Sequence, residues 1–434
     1  MIDLEQASEL VTSRRAIEAL RAGVPNRDAV ISLGTAHGDI EQRFREQLNQ
    51  AKEAGTAGLN PSGFLVAGNF GSGKSHLLEY LKQLALTENF VVSKVVVSKE
   101  TPLYDPAKLF RAAISSAIVP RRRGAALAEV AAQLDPDSRA YRDFYEWITG
   151  PECDLSQRFA ATVFLHQRAR EQDLEVVERI LSFWAGDQFD ATAVKNALKE
   201  LGQRVAFRFE KANSASLALQ RFRFAPRLMM AAGYNGWVLL VDEVELIGRY
   251  SVKQRGKSYA AVARWSGNLK GEGYPGVTSV LAITTDFERA VIDEKNDRIV
   301  APAKLRTSAR ETDQLTASQA EKGMQIIGKA VKLAMPSPVI VAATYDRVRA
   351  LHAAAYGWQP PGIDAGERLA STRMREYVKR WIYQWDLKRL YPDYRSDIEI
   401  DRLEPSYAED EDLELPLEGD LADPRLDAED QPRF

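Results

Sequence analysis

Gly68-Asn69-Phe70-Gly71-Ser72-Gly73-Lys74-Ser75 decides how this 434-residue chain is read. The stretch fits G-x-x-x-x-G-K-[ST] without a mismatch. An apolar run, Gly63-Phe64-Leu65-Val66-Ala67, precedes it, and a helical pattern from His76 to Leu84 follows. Strand, glycine-rich turn and helix make up the context that a phosphate-binding loop requires. Glycines let backbone N–H groups turn inward around a polyphosphate, and the positive end of the next helix faces the same anion. On this reading Gly68, Asn69, Phe70, Gly71, Ser72, Gly73, Lys74, Ser75 and His76 surround a nucleotide. Lys74 reaches the terminal phosphates of ATP and the Ser75 hydroxyl ligates Mg²⁺.

A second stretch gives the loop a chemical purpose. Trp237-Val238-Leu239-Leu240-Val241-Asp242-Glu243 reads as an apolar strand ending in two carboxylates. Acidic residues often end strands, so the pair carries weight only beside the loop. In that company Asp242 is expected to hold Mg²⁺, mostly through water. Glu243 is expected to act as general base toward the attacking water. A hydrolase needs that second carboxylate more than a simple kinase does.

Composition narrows the class. Apolar residues make up 45% and charged residues 27%, as in a soluble globular protein of two or three domains. One cysteine, Cys153, leaves no intrachain disulfide and fits a reducing, cytoplasmic setting. Four histidines and one cysteine argue against a structural zinc site. No apolar run approaches a membrane span, and the acidic N-terminus lacks the apolar core of a signal peptide. The net charge of −3 hides an asymmetry. Residues 397–434 carry 15 acidic and 3 basic side chains, so the rest of the chain is net basic. Such a tail reads as disordered, and it could also mask the basic body or meet a partner.

Periodicity predicts helices over 3–22 and 39–54, a strand over 91–98 and a helix from about 106 to 118. From 121 to about 214 the pattern is helical throughout, beginning at Arg121-Arg122-Arg123. This span reads as a helical insertion, because the phosphate loop and Asp242 lie further apart than a minimal nucleotide-binding core needs. Further helices are expected over 215–232 and 244–269, then a strand over 278–286. Helices over 311–334, 338–356 and 371–390 follow, separated by Pro336, Pro338, Pro360 and Pro361. The division expected is a helical linker (1–60), an α/β core with a parallel sheet (61–310), a helical lid (311–395) and a disordered acidic tail (396–434). No internal repeat is visible.

Alternating strands and helices imply a parallel sheet covered on both faces. Within P-loop NTPases, three features resemble AAA+ ATPases. Thr284-Thr285-Asp286, at the end of a buried strand, resembles that family's first sensor, with Thr285 beside the attacking water. The helical stretch 311–395 resembles the AAA+ lid. Ser371-Thr372-Arg373 resembles the second sensor, in which Arg373 contacts the γ-phosphate. Arg306, or failing it Arg298, stands where an arginine finger would reach a neighbouring subunit's nucleotide, so the resemblance implies a homo-oligomer. Val24 and Pro25 lie in a linker of the kind that passes the adenine base.

Three segments are more specific than any of these. They are Arg14 to Pro25, the phosphate loop, and Val92 to Pro106; Trp385 to Tyr391 adds a fourth. Together they resemble the bacterial BREX phage-defence ATP-binding proteins of the BrxD type, over about residues 10–395. The resemblance implies a role in defence against phage DNA beside other proteins of that system. It leaves two functions open: an ATP-hydrolysing motor or assembly switch acting on or near DNA, or a nucleotide-gated module with little turnover that recruits partners. A small-molecule kinase fits neither the long lid nor the Asp-Glu pair. DNA binding follows from the basic body and the resemblance alone, since no nucleic-acid reading motif is present.

Overall fold

In the computed structural model, the described residues are 4–394 and Tyr407, without 58–62, 152, 170–172, 203–206, 211–212, 268, 270, 310, 335 and 364–372. The acidic tail therefore lies outside them except for Tyr407, as do Ser371 and Thr372.

The phosphate loop leaves the end of an inner strand of a five-stranded sheet. Its strands are β1 (Phe64–Ala67), β2 (Val91–Val96), β3 (Trp237–Asp242), β4 (Val277–Ile283) and β5 (Val331–Lys332). They run in the order β2-β3-β4-β1-β5, and every described pairing is parallel. Parallel strands need helical crossovers, which cover both faces, and this explains why β1, β3 and β4 are buried at every position. The side chains alternate accordingly. Leu65, Leu239, Val241 and Leu281 join one core; Val66, Val238, Leu240 and Val280 join the other.

The second core is closed by α3 (Gly38–Ala57) and α4 (Lys74–Thr87), through Phe44, Leu48, Leu77, Leu78 and Leu81. The first is much larger. It takes in α5 (Pro106–Ser115), the helices α6 (Ala126–Ala132), α7 (Arg139–Thr149), α8 (Gln157–Ala169), α9 (Leu174–Ala185) and α10 (Ala191–Glu200), and α11 (Ser214–Ala231). No strand occurs among the described residues of 121–214. These helices are welded to the sheet by aromatic side chains: Phe222 stacks on Trp237 of β3 with ring centroids 5.4 Å apart, and Phe224 meets Phe159 at 4.9 Å and Trp184 at 5.4 Å.

Beyond β3, a 3₁₀ turn (Val244–Arg249) leads into α12 (Val252–Trp265). The helix expected over 244–269 is thus broken at Tyr250. After β4, a short π-helical turn (Glu288–Asp293) precedes α13 (Asp297–Arg306) and α14 (Glu311–Gly328). Helices α12 and α13 are knit by a buried pair: Arg255 on α12 donates to both oxygens of Asp297 on α13 at 2.7 and 2.8 Å, and the Tyr259 hydroxyl donates to Asp297 at 2.6 Å. Arg255 and Asp297 are almost fully buried, so removing one strands the other's charge. We expect Asp297→Ala to lower unfolding free energy by roughly 3–5 kcal/mol. Denaturant melts check this, and a loss below about 1 kcal/mol would contradict it.

The helix expected over 311–334 stops at Gly328, and Val331-Lys332 turns into the fifth strand. The remaining helices, α15 (Pro338–Tyr356) and α16 (Met374–Leu390), do not join either sheet core. They pack with α1 (Leu4–Ala22) and α2 (Arg27–Leu33) around Trp381, Trp385, Tyr345 and Ile17. Arg21 on α1 pins this unit, donating to Asp386 at 3.0 Å and to the Tyr356 hydroxyl at 2.9 Å. Its lower half faces the phosphate loop. No described helix is long and apolar enough to cross a membrane.

Candidate nucleotide site

β1 ends at Ala67 and the chain turns through the loop into α4. Gly71 (φ +75°) and Gly73 (φ +103°) hold left-handed backbone that L side chains rarely adopt. Gly73 precedes the first turn of α4 and caps it with no side chain, so the helix presents bare N–H groups. A Cβ at Gly73 would meet nothing within 4 Å, so the space before those groups is open. The Ser72 hydroxyl is buried with no hydrogen-bond partner among the described residues. Uncapped N–H groups, open space and an orphaned hydroxyl are what an anion would satisfy.

Lys74 is buried in this loop. Its ammonium donates to the Gly68 carbonyl at 2.8 Å, lies 3.5 Å from Glu245 Oε1, and sits 5.1 Å from the centre of the Phe70 ring. The Glu245 carboxylate comes from the 3₁₀ turn. β3 ends at Asp242, and Glu243 takes a left-handed conformation (φ +58°), which costs a non-glycine residue about 1–3 kcal/mol. That reversal ends the strand and brings Glu245 back toward Lys74. Asp242 is buried; its Oδ1 accepts the Glu243 N–H at 3.1 Å, and its Oδ2 is 3.5 Å from Lys94 Nζ on the neighbouring strand β2.

The electrostatics follow from crowding three carboxylates. Burial raises the Glu243 carboxyl above its usual range and Asp242 adds to this, while Lys74, Arg375 and Lys94 oppose it. Burial pushes Glu245 up to about 7 against the pull of Lys74. Ser75 stands on the first turn of α4, next to Lys74 in sequence.

The sheet order explains the rest of the convergence. β4 lies between β1 and β3, so its end falls between the phosphate loop and the Asp242-Glu243 turn. The Thr285 hydroxyl accordingly donates to the Asn69 side-chain oxygen of the loop. Arg373, just before α16, lies along the loop from the other side: a Cβ at Gly71 would sit 3.2 Å from Arg373 Cδ. The Arg375 N–H contacts the Gly71 carbonyl at 3.4 Å.

The two arginine-finger candidates are elsewhere. Arg306 pairs with Glu321, and Arg298 pairs with Glu288 at 2.6 Å and Asp293 at 3.1 Å, on exposed helix surfaces. Within one chain the structure does not bring either to the loop.

Beside the loop lies a cavity of about 320 Å³. Ser72, Gly73, His76 and Leu77 form its floor, Gly34 to His37 one wall, and Ile340, Thr344, Arg347, Met374 and Val378 of α15 and α16 the other. His76 and Gly34 are linked, with the ring Nε2 2.8 Å from the Gly34 carbonyl, and burial lowers the His76 pKa. Pro25 lines the cavity. Val24 does not: it is 69% exposed, because its N–H bonds back to Ala19 at 3.0 Å and turns the side chain outward.

Sequence reasoning overlooked Glu245 and Arg375. Glu245 falls inside the helix expected over 244–269, although an acidic side chain inside Val244-Glu245-Leu246-Ile247 is a hint of burial. No curated protein and no solved structure matches the chain. One family does, over residues 11–134 and 152–359, a span that holds the loop, Asp242, Glu243 and Thr285 and ends before Arg373. With most of its length covered, the chain belongs to the BREX system ATP-binding protein BrxC/D family.

Proposed function

We propose that this chain binds ATP with Mg²⁺ and hydrolyses it as an AAA+ ATPase of a phage-defence system, acting on or near DNA as a motor or assembly switch. The observation that carries the reading is the meeting of Lys74, Asp242, Glu243, Thr285 and Arg373 around one glycine-rich turn. The sheet order, with β1 between β4 and β5, supports the AAA+ assignment, as does a helical unit over the loop. Ser75 and Asp242 are hard oxygen donors, and Mg²⁺ characteristically takes one or two carboxylates plus phosphate and water. When bound, the metal would neutralise charge on the β- and γ-phosphate oxygens. Lys74 holds the phosphates, Glu243 accepts the proton of the attacking water, Thr285 orients that water, and Arg373 answers the γ-phosphate charge.

The base would occupy the cavity between the floor at His76 and the wall of α15. Ala343 lines that cavity while retaining exposure, so a larger side chain there fills the cavity without disturbing a core. Ala343→Trp is expected to weaken ATP binding about tenfold or more with an unchanged melting temperature, as read by calorimetric titration. Equal affinity would place the base elsewhere.

One observation favours a second reading. Arg306 and Arg298 both pair away from the loop of their own chain, so neither serves as a finger for its own nucleotide. That suits a nucleotide-gated module whose turnover awaits another subunit or a defence partner. Steady-state ATPase with and without duplex DNA separates the two. Turnover that needs Lys74 and rises with DNA supports the first; tight ATP binding with negligible turnover in both conditions supports the second. Direct DNA contact is tested by anisotropy across salt, since a phosphate-dominated contact weakens steeply as salt rises.

A further inference from the structure

Glu245 is the least explained charge near the loop. It is 2% exposed, and beyond its own backbone N–H neither carboxylate oxygen has a hydrogen-bond partner among the described residues. A carboxylate buried without donors is unfavourable unless a cation stands by. Here that cation is Lys74, 3.5 Å away. The other charged or titratable groups that act on Glu245 are Glu243 and Asp242, both of like sign, and Glu245 in turn acts on Tyr407. Besides its own backbone N–H, the Glu245 carboxylate leans on the ion pair with Lys74, and that pair uses the ammonium on which a polyphosphate depends.

We infer that Glu245 is a positioning residue that holds Lys74 in the nucleotide-free protein and weakens the retention of nucleotide, so that ADP leaves. The inference rests on the ATP-site reading above. Two effects give it a sign, and both point the same way. An arriving phosphate must share or displace the Lys74–Glu245 pair. A carboxylate this close to Lys74 also repels the phosphate that Lys74 receives. Glu245 has no place among the reacting atoms, where Asp242 and Glu243 already stand, so its part is to set the affinity.

Binding and release of a fluorescent ADP, with KM and kcat for ATP, test this on the full chain and on Glu245→Gln and Glu245→Asp. Glu245→Gln keeps the shape and removes the charge, and the comparison is made at pH 8, where a carboxyl pushed up to about 7 is mostly ionised. It should bind ADP about tenfold tighter or more, through slower dissociation, with KM for ATP falling alongside. Glu245→Asp retracts the carboxylate from Lys74 and should fall between the two. A residue that only supported the fold would lower the melting temperature and leave dissociation unchanged or faster. Failure of the unchanged chain to bind ADP or ATP would remove the ATP-site reading itself. Normal binding by the unchanged chain, with a folded Glu245→Gln that holds ADP no more tightly, would overturn this inference alone. Should Glu245→Gln not fold, unchanged or weaker ADP binding by Glu245→Asp would overturn it equally.

Discussion

Lys74→Ala abolishes measurable ATP binding and turnover at micromolar nucleotide. Three losses combine in that result. The phosphates lose the ammonium aimed at them, and in a buried loop a truncated charge partner is worth about 2–5 kcal/mol, or roughly 30- to 5000-fold in affinity. The Gly68 carbonyl loses the donor that fixes the entrance of the loop. Glu245 loses its ion-pair partner while remaining buried. The third loss separates this variant from an ordinary binding mutant, because it also lowers the stability of the nucleotide-free protein. Thermal melting of Lys74→Ala without nucleotide should therefore sit several degrees below the unchanged chain. Calorimetric titration reads the first effect and melting reads the second. ATP bound with near-normal affinity would end the assignment of this loop as the phosphate site.

Glu243→Gln has the opposite profile, binding retained and chemistry lost. Glutamine preserves the shape at the left-handed corner that ends β3 but cannot take a proton from water. Removing a positioned general base lowers turnover about 10²- to 10⁴-fold. Replacing the carboxylate also removes a negative charge that burial and Asp242 already strain, so ATP affinity stays level or improves. Single-turnover hydrolysis alongside equilibrium binding distinguishes the two quantities. Equal turnover by Glu243→Gln and the unchanged chain would sink the catalytic assignment.

Much of this site could be read from sequence because its parts are local. Eight consecutive residues specify the phosphate loop, and a six-residue apolar strand delivers Asp242 and Glu243 to its end. Helix α15 begins and ends where its proline and glycine signals put it, with Ser337 capping Ile340 and Gly357 closing the C-terminus. Short elements escaped. α2 has seven residues, and only the Asn26 cap on Ala29 marks it. β5 has two, and Val331-Lys332 continues a helical pattern until Val66 and Ala67 pair with it. Partnerships at long range were also invisible. Nothing near Arg21 announces Asp386 or Tyr356, more than 330 residues away, yet those bonds unite the N-terminal helices with α15 and α16. Glu245 belongs to the same class: its meaning appears only when the corner at Glu243 carries it to Lys74.

Tyr407 sits beside the Thr285 end of β4. Its hydroxyl is 2.7 Å from Thr284 Oγ1 and donates to Asp286 at 3.2 Å, and its ring meets Phe287 edge-on at 6.2 Å. Helix α16 ends at Leu390, so sixteen residues in sequence connect the helical unit over the loop to this anchor. The strand end that touches the phosphate loop thus already carries a tyrosine of the same chain, and any other group taking that place must replace two hydroxyl contacts and one aromatic contact.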